Sequence, residues 1–574
     1  MKNMSHSSVL VMAAVLAACA APRETQQSVG AASDEMAREQ RDARTRQDHV
    51  VQDASSAATV QRTEAEAKVA GQRFAVAPAP TMETCCPPPL PPLANTERYE
   101  HLNDNPVKLA AEHPVSTFSI DVDTGAYANV RRYLNGGQLP PQDAVRVEEL
   151  VNYFDYDYTA PTTRDTPFSV TTDLATAPWN SEALLLRIGI KGYEVPAEQR
   201  PAANLVFLID VSGSMQSPDK LPLLKNAFRL LTHQLTAKDR VSLVVYAGSS
   251  GVVLEPTAGN EQRKILAAIE RLEAGGSTNG AAGIEQAYEL AREAHIEGGI
   301  NRVVLATDGD FNVGVVNFEA LLDIAERERA SGTALTTLGF GTGNYNDHLL
   351  ERLADAGNGN YSYIDTLSEA RKVLVSELTS TLMTIAKDVK IQVEFNPSQV
   401  VEYRLIGYEN RMLAREDFNN DKVDAGEIGA GHRVTALYEV VPVGAKGRVD
   451  PLRYGSRPTA ETSRLAELAN IRLRYKLPDS DTSKLLEYPI QKTALAKIED
   501  TSVDFRFATS VAAFGQLLRG GKYLGDFGYA DVEALAQPAL ARDKDGYRRE
   551  FVSLVKLAQS LAGQGSQQVS QAGR

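Results

Sequence analysis

Three short stretches carry oxygen-bearing side chains at spacings suited to a hard divalent cation. The first is Asp210-Val-Ser212-Gly-Ser214, which directly follows the apolar run Phe207-Leu208-Ile209. The second is "AGGSTNG", carrying Thr278, and the third is "ATDGD", carrying Asp308. In chain order they supply Asp-x-Ser-x-Ser, then Thr, then Asp. Asp and Ser at a strand end also cap the helix that follows. Five such positions in order exceed what capping requires, and Thr278 falls in a loop between two helical segments. Asp310, two residues after Asp308, adds negative charge beside the third loop and is read as a bystander.

The elements that must hold these loops show a doubly wound pattern. "NLVFLI", "RVSLVVYA", "RVVLAT" and "ALTTLGFG" are short apolar runs of the kind buried on both faces of a parallel sheet. Amphipathic segments lie between them. In "DKLPLLKNAFRLLTHQL", Leu224, Phe228, Leu231 and Leu235 fall on one helical face. "SGVVLEP" is a short edge strand, antiparallel to its neighbour. Strand–helix alternation over residues 204–380 predicts an α/β domain with a mostly parallel, doubly wound sheet. Ligands of such sheets sit at the carboxyl ends of the strands, where the first and third loops emerge.

The order Asp210, Ser212, Ser214, Thr278, Asp308 resembles the metal-ion-dependent adhesion site of the von Willebrand factor A domain, which is Rossmann-like in fold. That resemblance covers residues 204–380. It implies that Ser212 and Ser214 bind the metal through hydroxyl oxygens and that Thr278 joins them in the ligand-competent state. It implies that Asp210 and Asp308 act mainly through water or by hydrogen-bonding those hydroxyls. This oxygen set suits Mg²⁺, which takes about six oxygens and retains several waters, or Mn²⁺. Neutral hydroxyls leave the ion electrophilic, so a carboxylate from a partner protein can complete its shell. The resemblance also implies that the last helix of the domain, Leu367–Met383, can shift when the partner binds. The flanks, "TFSIDVDTGAYANVRRYLNGGQLPP" before and "DFNNDKVDAGEIGAGHRVTALYEV" after, resemble a bacterial group called YfbK-type.

Around the A domain the pattern differs. Residues 97–203 read as an α+β region. In it "STFSIDVDTGAYANVRRYLNGG" forms a strand, a turn and a helix capped by Thr124, "AVRVEELVNYF" forms a second helix, and two strand-like runs flank Trp179. Asp121-x-Asp123 is read as a strand end with a capping turn. Residues 381–490 are β-rich and residues 491–574 helical. The strands on either side of the A domain are expected to share one β-sandwich, with the A domain inserted. "DFNNDKVDAGE", from Asp417, superficially matches a calcium loop, but Lys422 stands at its Gly position and Ile428 at its terminal Glu position.

The N-terminus reads as a targeting segment. "SVLVMAAVLAAC" is apolar but shorter than the roughly 18 residues a membrane span needs. Leu16-Ala17-Ala18-Cys19 resembles the lipobox of bacterial lipoproteins, which implies a signal over residues 1–19 and a lipid on Cys19. Residues 20–96 are polar and then Pro-rich, and form a disordered tether with a mean span of about 50 Å. The neighbouring Cys85 and Cys86 are poorly placed for an ordinary disulfide. In a typical Gram-negative bacterium, Ala20 after the Cys implies the outer membrane.

A net charge of -14 argues against nucleic acid as the partner. Gly-x-x-x-x-Gly-Lys-Ser/Thr and His-Glu-x-x-His motifs are absent, and the metal loops carry no His, Lys or Cys to act as a base. The sequence therefore points to a non-enzymatic, lipid-anchored envelope protein that binds a protein partner through Mg²⁺ and an acidic side chain. A scaffold with a merely stabilising metal and a metal-assisted hydrolase are the alternatives.

Overall fold

The computed structural model describes residues 96–162, 165–277, 280–309, 318–450, 466–492 and 496–572. Cys19, the tether with Cys85 and Cys86, Thr278 and Asp310 lie outside the described residues.

In chain order, the region before the A domain contributes β1 (Lys108–Leu109), β2 (Val115–Ser119), α1 (Gly125–Asn135), α2 (Val147–Asn152), β3 (Phe168–Ala177) and β4 (Asn180–Gly192). The A domain follows with β5 (Ala203–Asp210), α3 (Leu221–Thr232), β6 (Arg240–Tyr246), β7 (Ser250–Ala258), α4 (Gln262–Glu270) and α5 (Gly280–Glu293). It continues through β8 (Ile300–Thr307), α6 (Phe318–Ala330), β9 (Ala334–Phe340), α7 (Asp347–Ala356), β10 (Tyr361–Ile364), α8 (Leu367–Arg371) and α9 (Leu378–Leu382). After it come β11 (Thr384–Phe395), β12 (Val400–Ile406), β13 (Ile428–Gly429), β14 (Arg433–Pro442), β15 (Glu467–Lys476) and β16 (Ser483–Gln491). The helices α10 (Val503–Leu518), α11 (Tyr529–Ala536) and α12 (Tyr547–Ala572) close the chain.

The A-domain sheet runs β10-β9-β8-β5-β6-β7, parallel except for β7 at the edge. Every residue of β5 is buried because the strand is central and helices cover both faces. Leu205, Phe207 and Ile209 face the core shared with Leu224 and Phe228 of α3, whereas Val206 and Leu208 face Ile284 and Ala287 of α5. The strand order reverses between β5 and β8, which opens a crevice at their carboxyl ends.

Two antiparallel sheets make the sandwich. One runs β1-β12-β14-β4-β3, and in the other β11 pairs with β15, β13 and β2. Strands from both sides of the A domain therefore share each sheet, as the sequence spacing predicts. Ile188 and Ile190 of β4, Ile391 and Val393 of β11, and Ile471 of β15 meet in one core between the sheets. The opposite face of the first sheet, through Leu185 and Leu437, packs on α1, α2, α10 and α12. The edge strand β16 escapes sequence reading because "SKLLEYPIQ" is largely exposed and carries a proline, a residue tolerated at sheet edges.

Two local expectations are corrected. Thr124 occupies the N-cap position of α1, but its side chain makes no capping hydrogen bond. The Ala126 N–H donates instead to Glu149 Oε2 of α2, at 2.7 Å, so a distant carboxylate serves the first turn. The last A-domain helix is not continuous. A π-helical turn over Lys372–Ser376 separates α8 from α9, with the Glu377 N–H donating to the Lys372 carbonyl at 2.9 Å. The ammonium of Lys372 lies buried 4.3 Å from the Tyr153 ring centroid and pairs with Glu377 at 2.7 Å.

Buried arginines join the A domain to its flanks. Arg131 of α1, 2% exposed, binds Asp365 and Glu369 of the A domain and Glu550 of α12 at 2.5–3.0 Å. Arg146 is paired with Glu149 and with Asp347 of α7, and Arg411 binds Asp355 of α7 at 2.5 Å and Asp121 at 3.2 Å. Asp121-x-Asp123 is thus a turn, with Asp121 Oδ1 accepting the Asp123 N–H at 2.8 Å, whose charge is met by Arg411. Replacing Arg146 with Met leaves buried carboxylates without a cation. The loss should be about 3–5 kcal/mol in urea denaturation, and a loss below about 1 kcal/mol would deny the seam its stabilising role.

Candidate metal site at the sheet crevice

Asp210 ends β5 and is fully buried. Its Oδ1 accepts the Ser212 N–H at 2.8 Å, and its Oδ2 accepts the hydroxyls of Thr307 at 2.9 Å and Tyr246 at 3.2 Å. Thr307 Oγ1 in turn accepts the Gly309 N–H at 3.1 Å, so one chain of hydrogen bonds ties the first loop to the third. Gly309 has φ +86, and a Cβ there would collide with the backbone of Asn346. Glycine at this position lets the third loop close on the loop between β9 and α7 that carries Asn346.

The Ser212 and Ser214 hydroxyl oxygens lie 2.9 Å apart, with Ser212 buried and Ser214 exposed. Adjacent oxygens of an octahedral Mg²⁺ shell, at bonds of about 2.1 Å, are separated by about 3 Å. This pair of oxygens therefore fits two neighbouring positions of such a shell. Asp308 follows β8, fully buried, and Ser214 hydrogen-bonds to it. The second loop is docked on the first, with the Gly275 N–H on the Val211 carbonyl at 2.7 Å and the Gly213 N–H on the Gly276 carbonyl at 3.1 Å. Asp210, Ser212, Ser214 and Asp308 are brought together, and the loop leading to Thr278 lies against them. The donor set is all oxygen and two of its members are neutral hydroxyls, which fits Mg²⁺ or Mn²⁺.

Lys220 is a site residue that the sequence reading of the loops missed. It is the N-cap residue of α3, six positions beyond Ser214, and its Nζ donates to Asp308 Oδ2 at 2.8 Å. The three loops themselves carry no lysine, but the chain turns back after "SGSMQSPD" and delivers one to Asp308. Its spacing from Ser214 was visible in the sequence, but its direction depends on the fold. Lys220 Nζ thus stands beside the third loop as a hydrogen-bond donor to Asp308. Burial acts to raise the Asp308 carboxyl, but the Lys220 hydrogen bond and charge, aided by Ser214 and Asn344, hold it below its usual value. Burial pushes Asp210 up to about 6, with Asp308 adding to the rise and the Ser212 N–H opposing it.

Among the described residues, the carboxyl oxygens of Asp388, Asp424 and Glu427 also converge, within 4.8 Å of one another. Lys476 already binds Asp388 at 2.6 Å and Arg329 binds Asp424 at 2.5 Å. The nearby "DFNND" loop is filled by internal cations as well. Lys390 Nζ donates to the carbonyls of Asp417 and Asn420, and Lys476 Nζ to that of Asp421, at 2.6–3.1 Å.

The raised Asp210 sets a sign for stability without metal. Its folded state holds the proton more tightly than the unfolded chain, so its contribution is complete below about pH 4 and is lost as pH rises through 6. The isosteric Asp210→Asn variant should gain up to about 3 kcal/mol on the wild type between pH 4 and pH 7.5 in EDTA. Paired denaturation curves at the two pH values measure this, and an unchanged gap would show that Asp210 ionises freely in the folded chain.

Comparison with known proteins bears on the fold and the family of the chain. Residues 204–377 match the family model of the von Willebrand factor type A domain, and residues 93–187 match a model described as von Willebrand factor. Residues 380–561 match a model described as the YfbK C-terminal region. YfbK of Escherichia coli K12 is 49% identical over 473 residues, covering 81% of this chain and 82% of that protein. The inter-alpha-trypsin inhibitor heavy chain H3 of Pongo abelii is 26% identical over 259 residues, covering 41% of this chain and 29% of that one. A solved von Willebrand factor type A protein from Catenulispora acidiphila is 17% identical, with TM-score 0.37, covering 69% of this chain and 91% of its own. The relative 49% identical over most of both chains, with the matches over residues 204–377 and 380–561, places the chain in the YfbK family of von Willebrand factor type A domain proteins.

Proposed function

We propose that the protein is a non-enzymatic binding protein whose A domain captures a protein partner through Mg²⁺ or Mn²⁺ and an acidic side chain of that partner. The observation that carries this reading is the pair of hydroxyl oxygens of Ser212 and Ser214, 2.9 Å apart between the carboxylates of Asp210 and Asp308. Ser212, Ser214 and, in the ligand-competent state, Thr278 would bind the ion. Asp210 and Asp308 would hold its waters and orient the hydroxyls. The ion supplies Lewis acidity toward an incoming carboxylate. The chain's own residues order the crevice, and the exposed Ser214 leaves one side of it open to solvent.

Affinity capture from envelope membranes of the source organism tests this reading. A partner should be retained with Mg²⁺ and lost both with EDTA and in Asp210→Ala, while thermal melting shows the variant folded. A partner retained equally in all three conditions would instead favour a scaffold that binds through its sandwich or helices.

The same proposal places the protein in the cell envelope, anchored by a lipid on Cys19, with the outer membrane as its site in a Gram-negative cell. Leu16-Ala17-Ala18-Cys19 and the polar, Pro-rich sequence after it support this placement. Among the described residues no helix is long and apolar enough to cross a membrane. Cys19→Ala should abolish incorporation of labelled fatty acid and shift the protein out of the membrane fraction or leave it unprocessed. Labelling and fractionation identical to the wild type would refute the lipid anchor.

A further inference from the structure

We propose that Lys220 is a resident cation of the metal site. It shares Asp308 with the bound ion, which weakens the hold on the metal and keeps that metal electrophilic toward an incoming carboxylate. The inference rests on the metal-site reading above and adds to it what sets the affinity of that site.

The placement of Lys220 is built rather than incidental. Its Nζ donates to Asp308 Oδ2 and to Asn344 Oδ1, both at 2.8 Å, and the side chains of Lys220 and Asp308 are 7% and 0% exposed. Asn344 Nδ2 also donates to Asp308 Oδ2, at 3.0 Å, so the amide bridges both members of the ion pair. The aliphatic stem of Lys220 runs over Gly341, which has φ +76; a Cβ there would overlap the Cγ, Cδ and Cε of the lysine. Only glycine gives both that backbone conformation and that groove. The loop carrying Asn344 is itself pinned, since the Gly343 N–H donates to Glu97 Oε1 at 2.8 Å and the Thr96 N–H donates to the Gly343 carbonyl at 2.8 Å.

The electrostatic consequence follows from this geometry. Asp210 and Asp308 are the carboxylates of the described site, and the ammonium neutralises one of them. A divalent ion beside this set meets less negative charge than one beside two unpaired carboxylates, and it meets an ammonium that repels it through a poorly solvated medium. Both effects loosen the ion. Both also leave more of its charge for a ligand that brings its own carboxylate. Removing the ammonium while keeping Asp308 should therefore tighten the metal.

Calorimetric titration of the purified full chain with Mn²⁺ tests this. Lys220→Met should bind Mn²⁺ at least about fivefold more tightly than the wild type, and Lys220→Arg, which retains the charge, within about twofold of it. Lys220→Gln, which keeps a hydrogen-bonding group toward Asn344, should tighten binding in the same direction and stands in if the Met variant melts early. In an Asp308→Asn background, Lys220→Met should give a smaller gain, because only the direct repulsion of the ion by the ammonium is then left to remove. Equal Mn²⁺ affinity in wild type, Lys220→Met and Lys220→Gln would overturn the role of Lys220 and leave the metal site standing. Failure of all three to take up Mn²⁺ would overturn the metal-site reading itself.

Discussion

Several carboxylates of the A domain find their cations only outside it. Asp347, Glu351 and Asp355 line α7, Asp365 and Glu369 lie at and just before α8, and the cations that face them come from elsewhere in the chain. Arg131 and Arg146 arrive from the region before the domain and Arg411 from the region after it. Arg131 also reaches Glu550 of the C-terminal helix α12, so one guanidinium holds three parts of the chain together. Taking such charges out of water is costly, and a mismatch in their placement is costlier, because an unpaired buried carboxylate has no solvent to fall back on. The pairing therefore acts as an alignment constraint. The A domain is inserted in the sandwich by two connections, and the arginine seam fixes its orientation.

That seam continues into the crevice at the carboxyl ends of β5 and β8 through a single loop. Residues 341–346 lead from β9 to α7, with Gly341 and Asn344 holding Lys220 and Asp308 at one end and Asp347 meeting Arg146 at the other. Glu97, at the start of the folded body, binds the Gly343 N–H of the same loop. Parts of the chain far from Asp308 in sequence thus brace the loop whose Asn344 holds it. The π-helical turn in the last A-domain helix belongs to the same seam. Lys372, at its start, is buried over Tyr153, a residue of the preceding region whose hydroxyl donates to Glu369 at 2.8 Å.

Much of this arrangement was legible in the residues themselves. Apolar runs of β5, β6, β8 and β9 and the 3.6-residue spacing of Leu224, Phe228, Leu231 and Leu235 are local consequences of burial on both sides of a parallel sheet. Asp210, Ser212, Ser214 and Asp308 could be singled out because a strand end in a doubly wound sheet always faces the ligand crevice. The strand runs on both sides of the A domain implied a shared sandwich, since neither set alone makes two complete sheets. β16 was not legible, because an exposed edge strand has little burial pattern to read.

Sequence alone therefore determined the elements and the loops that carry Asp210, Ser212, Ser214 and Asp308 beside the strand ends, all of which follow from periodicity and from the order of the elements. Tertiary structure decided which charges meet. Arg146 lies 201 residues from Asp347, Arg131 lies 419 from Glu550 and Lys220 lies 88 from Asp308, and no local pattern encodes such pairings. It also decided that Glu149, rather than Thr124, caps α1 and that the last helix breaks at Lys372. The physical reason is the same in each case. Hydrophobic periodicity is a property of one element and can be read along the chain. The partner of a buried charge is whichever group the packed fold brings within about 3 Å, and it exists only once the elements have been assembled.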